Sequence, residues 1–142
     1  METLGSLIDK LTVIKLKEFH NKDWMRKKNL EVQEQELLYE ITDYLHNAVT
    51  GKINWEKLTI QSNKIHEGTA MPEIESQSIG INVSMLAKAN CEIWHLQEKL
   101  YNFNMIPAEE KDAVVAAITT ENLKRVRCIE GIDKMLQEMV IE

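Results

Sequence analysis

Arg125 makes the strongest demand on its surroundings of any residue in this chain. It interrupts a stripe, Ile118, Asn122, Arg125, Ile129, Ile132, Leu136 and Met139, that follows helical spacing and is otherwise mostly apolar. An unpaired guanidinium taken out of water costs several kcal/mol, so Arg125 requires an acidic partner, a bound anion or a route to solvent. A turn near Asn104 to Ile106 would join two antiparallel helices, and residues equally distant from it would then face one another. Asn90 then lies opposite Glu121 and Asn122. The expectation is a polar layer of Asn90, Asn122 and Arg125, with Glu121, Glu92 or Glu34 supplying the acid. Such a layer either fixes the register of the helices or forms a ligand-binding site of Asn90, Asn122, Arg125 and Glu121.

Other groupings suggest metal chemistry. Asp43 with His46 and Glu92 with His95 repeat the acid-x-x-His spacing that helical di-iron bundles use. Asp43 and His46, however, fall away from the stripe of Leu37, Ile41 and Leu45, so they are expected to face water. Glu36, Glu40 and Asp43 share a helix face and could hold magnesium for diphosphate hydrolysis, as in the all-helical nucleotide pyrophosphohydrolases, with Glu130 and Asp133 as the facing acids. The simpler reading of both is a solvated face, which leaves no metal site and no cofactor. The chain contains no nucleophile elbow, Gly-rich phosphate loop or zinc-ligand cysteine pair, and Trp24, Trp55 and Trp94 read as core or interface anchors.

The elements that must position these residues are helices. Residues 4–19 place Leu4, Leu7, Ile8, Leu11 and Ile14 at amphipathic spacing, with Thr3 as cap. His20 to Asp23 reads as a tight turn or a bend, and Asp23 can cap a second helix from Trp24 to about Val49, which carries Leu30, Leu37, Ile41, Leu45 and Ala48 on one face. Residues 31–36 form its wet face, and Gly51 ends it. Asn54 caps a short helix over 55–65, and Gly68 to Ser78 is a loop expected to be mobile. A fourth helix spans about Ser78 to Phe103, with Ile79, Val83, Leu86, Ile93 and Leu100 as its apolar positions. Pro107 opens a fifth that continues to about Val140, with Glu109 and Glu110 in its first turn. The fifth helix would measure roughly 50 Å, more than one small bundle needs. Its surplus length and its apolar tail of Met135, Leu136, Met139, Val140 and Ile141 predict self-association, most simply as a homodimer.

At 142 residues, with 44% hydrophobic and 28% charged residues, the chain fits one globular domain over 1–142. The net charge of −6 argues against binding nucleic acid, and the basic cluster Arg26-Lys27-Lys28 reads as a solvated face. No apolar run is long enough to span a membrane and the opening lacks the order of a secretory signal, so a cytoplasmic location is expected. Hairpin pairing puts Cys91 and Cys128 about 12 Å out of step, too far for a disulfide.

Three segments, 3–17, 90–100 and 122–135, resemble parts of small helical bacterial proteins classed as domains of unknown function. The resemblance rests on Gly5, Ile8-Asp9-Lys10-Leu11 and Lys17, then Asn90, Trp94-His95 and Glu98, then Asn122, Arg125, Ile129-Glu130 and Ile132-Asp133. Residues from about 43 to 77 have no counterpart. Some of these families are encoded among genes for surface polysaccharide assembly, which implies an accessory role there. The sequence therefore predicts an all-α antiparallel bundle of four main helices and one short one. It would act as a binding or assembly module, with its own copy and a further protein as partners. The competing reading is the magnesium-dependent hydrolase.

Overall fold

The computed structural model describes residues 2–59 and 78–140. Within them the chain forms α1 (Leu4–His20), α2 (Trp24–Val49), α3 (Ile79–Tyr101) and α4 (Ala108–Met139), with 3-10 turns at Trp55–Leu58 and Phe103–Met105. No helix of the described residues is long and apolar enough to cross a membrane. The fold is the expected all-α bundle. The short helix expected over 55–65 is seen only as the turn Trp55–Leu58. Residues 60–65, the 68–77 loop and Ile141 of the predicted tail lie outside the described residues.

Local chemistry sets the helix ends. Thr3 Oγ1 accepts from the Ser6 amide at the start of α1. Asn21 and Asp23 exchange bonds across the connection, where Asn21 Nδ2 donates to the Asp23 carbonyl at 2.8 Å and Asn21 Oδ1 accepts the Asp23 amide at 3.2 Å. Asp23 then caps α2 through the Met25 amide. Residues 21–23 therefore break the chain into two helices, with His20 the last residue of the first. At the far end of α2, Lys52 donates to the Asn47 carbonyl and Gly51 to that of Ala48, a Schellman closure that needs the left-handed φ of +79° at Gly51. Pro107 stands one place before α4, as its cap residue, with Glu109 and Glu110 in the first turn.

Two antiparallel hairpins result. Lys15 of α1 pairs with Glu34 of α2. In the second hairpin the buried Asn82 of α3 lies against Gly131 of α4. α1 packs on all three other helices, whereas α2 packs chiefly on α1. The arrangement has α1 at its centre, with α2 on one side and the α3/α4 hairpin on the other. Leu4, Leu7, Leu37, Tyr44, Ala48, Leu86, Ile132 and Leu136 form most of the core. Leu58 closes one end, fully buried.

Several sides of helices are corrected. Tyr44 is buried, whereas Leu45 is partly exposed, because α1 covers an arc of α2 rotated from the predicted stripe. On α4 the buried positions are Val114, Leu123, Cys128, Ile132, Asp133 and Leu136, while Asn122 and Met139 face outward. The predicted self-association tail is likewise partly internal. Leu136 is buried, and Trp55 donates its indole N–H to the carbonyls of Gln137 and Val140 at 3.0 and 3.1 Å. Cys91 and Cys128 are free thiols, and burial pushes that of Cys128 up.

Candidate functional site

A polar layer exists, and its acid is Asp9 of α1. Arg125 donates from Nε to Asp9 Oδ1 at 2.8 Å and from Nη2 to Oδ2 at 2.6 Å, the two-pronged geometry that suits guanidinium and carboxylate. Asn90 of α3 donates from Nδ2 to the same Oδ1 at 2.9 Å and to Thr12 Oγ1 at 2.8 Å. Thr12 in turn donates to the Asp9 carbonyl. Asp9 is only 5% exposed, and three helices converge on it. The pairing holds the Arg125 guanidinium even more firmly protonated than usual.

Of the four residues expected to form a ligand site, the structure brings Asn90 and Arg125 together and leaves the other two outside. Glu121 pairs with Lys124 one turn away at 3.1 Å, and Asn122 is exposed. Glu92 is exposed, and Glu34 is engaged by Lys15. Asp9 carried one signal in the sequence: an acid within the apolar arc Leu7, Ile8 and Leu11, sharing a face with Gly5 and Thr12.

A second buried acid lies where α1 begins. Asp133 of α4 accepts the Gly5 amide at 2.7 Å, satisfying one of the free N–H groups of the α1 N-terminus from a different helix. Burial raises its carboxyl to about 6, while bonds from Thr3 and the Gly5 amide act in the opposite direction. The same burial, together with the Asp133 charge, raises the Tyr44 hydroxyl. Since the folded pKa of Asp133 exceeds its unfolded value of 3.8, the folded state holds the extra proton between these limits. Its contribution to stability is fully present below about 4 and is lost as pH rises through about 6. Relative to Asp133→Asn, the parent is therefore expected to lose roughly 2–3 kcal/mol between pH 4 and pH 7.5 in denaturant melts. A pH-independent difference would show that Asp133 titrates normally.

A trough runs along α1 beside α2. Near the layer it is a cleft of about 370 Å³, lined by Lys10, Val13, Ile14, Glu36, Leu37, Glu40 and Arg125 among others. Lys17 and Gln33 connect it to a larger cleft of about 510 Å³ at the α1–α2 turn, where His20, Asn21, Arg26, Asn29, Leu30 and Trp94 complete the wall. Here the His20 and Trp94 rings stack at 4.8 Å and 8°, and Trp94 donates to Glu98 at 2.8 Å. Glu18 and Glu34 meet where α1 packs on α2; burial and the Glu34 charge raise Glu18, while Lys15 lowers Glu34.

Of the acids proposed for metal chemistry, Glu36 and Glu40 share the cleft near the layer and the others lie elsewhere. Glu36, Glu40, Asp43, His46, Glu92 and His95 are exposed, Glu130 pairs with Arg127, and Asp133 caps α1. Among the described residues no group of three or more His, Cys, Asp or Glu could share a metal ion. Comparisons with protein-family models, curated proteins and solved structures find no match for the chain.

Proposed function

We propose that the chain is a non-catalytic assembly module that works as a homodimer through α2. The observation that carries this reading is that α2 packs chiefly on α1, yet bears a second apolar stripe facing outward. Trp24, Met25, Val32, Tyr39 and Val49 are each more than half exposed, with Leu38 and Leu45 beside them. Met25, Val32 and Tyr39 recur at intervals of seven, as do Leu38 and Leu45, the period at which two helices keep a common seam.

A second copy suits this stripe because a two-fold interface must be self-complementary. Antiparallel pairing about the midpoint of Gln35 and Glu36 sets Val32 opposite Tyr39 of the second copy, and Lys28 opposite its Asp43. Val32–Tyr39 pairs thus form the centre of the seam, and Lys28–Asp43 pairs of opposite charge lie beyond them. The non-catalytic part of the reading is supported by Asp9, Asn90 and Arg125, which spend their bonds on one another. The accessory role in surface polysaccharide assembly implied by the segment resemblance is part of the same proposal.

Light scattering of the parent is expected to give twice the 16.5 kDa chain mass at micromolar concentrations. Val32→Asp with Tyr39→Asp should give the monomer with unchanged helicity, while Met139→Asp, at the tail of α4, should leave the dimer intact. A monomeric parent at high micromolar concentration would sink the proposal. A dimer sensitive to Met139→Asp and not to the α2 pair would move the interface to α4.

A further inference from the structure

We propose that the larger cleft, at the turn between α1 and α2, is a binding site for a nucleoside diphosphate. Its volume of about 510 Å³ falls within the range of small-molecule sites. None of the residues lining it is acidic, although the chain carries a net charge of −6. Lys17 from α1 and Arg26 from α2 approach it from two helices, which suits a ligand with more than one negative group. Asn29 and Gln33 add carboxamides able to donate and accept.

The remaining wall is aromatic and braced. Trp94 is held on one side by its near-parallel stack with His20 and at its indole nitrogen by Glu98. A braced indole offers a planar ring a stacking surface at little entropic cost. A neutral sugar would leave the charges of Lys17 and Arg26 unused, and a bare polyphosphate would leave Trp94 unused. A base joined to two phosphates engages both. Arg26 has one competitor, Asp23 at 4.0 Å, a long and exposed contact that a phosphate can displace.

Titration calorimetry at low salt should show ADP or UDP binding the parent at least tenfold more tightly than inorganic pyrophosphate. Lys17→Ala and Arg26→Ala should each weaken the nucleotide tenfold or more. Trp94→Ala should abolish the nucleotide's advantage while leaving pyrophosphate binding unchanged, and circular dichroism would confirm that each variant is folded. Equal affinity for nucleotide and pyrophosphate would overturn the stacking role. Absence of nucleotide binding to the parent, or binding indifferent to all three substitutions, would overturn the site.

Discussion

Arg125→Met is expected to destabilise the protein by about 3 kcal/mol, the low end of the range for stranding one member of a buried ion pair. The low end applies because the Arg125 side chain is 37% exposed and part of its interaction is screened by water. What remains is the Asp9 carboxylate, 8% exposed at its side chain, with Asn90 as its one side-chain donor. Removing that charge as well, in Arg125→Met with Asp9→Asn, should recover at least about 2 kcal/mol as a coupling energy in denaturant melts. Glu121→Gln should stay within about 0.5 kcal/mol of the parent, since it touches only a surface pair with Lys124. Arg125→Met melting with the parent would show that the layer contributes nothing.

Gly5→Ala is expected to be about as damaging, against the rule that alanine stabilises a helix relative to glycine by about 1 kcal/mol. A Cβ at position 5 would press into the backbone carbonyl of Ile129 and lie 2.9 Å from Asp133 Oδ1, which accepts the Gly5 amide. Backbone cannot rotate away as a side chain can, so α1 would have to leave α4 and weaken both the cap and the Asp9–Arg125 layer further along. The expected cost is about 3 kcal/mol, a fall in melting temperature of roughly 10 °C. Gly80→Ala is the matched control. Nothing lies within 4 Å of a Cβ there, so it should be neutral or stabilise by up to about 1 kcal/mol. Equal melting temperatures for the two variants would refute the close crossing of α1 and α4.

Much of this fold is written in neighbouring residues. Thr3, Asp23, Asn54 and Gly51 act where the sequence placed them, and α2 runs from Trp24 to Val49 as its periodicity indicated. Caps and Schellman closures need only residues a few places apart, so their chemistry can be read along the chain. The demand that Arg125 find an acid was legible for a similar reason: the energetic cost belongs to the residue itself.

The identity of that acid was decided by the tertiary structure. Glu121, Glu92 and Glu34 were candidates because they lie one turn away on the same helix, on the hairpin partner or on the second helix, yet α1 is the helix that comes to rest against both α3 and α4. Asp9 and Arg125 stand 116 positions apart, and no local period connects them. The same holds for Tyr44 replacing Leu45 in the core and for the need for glycine at position 5. Helical periodicity sets which residues share a face, to within the width of an apolar arc. Which neighbour covers that arc, and how far it is rotated, depends on the packing of whole helices, a non-local choice that determined the polar layer, the cleft beside Trp94 and the outward stripe of α2.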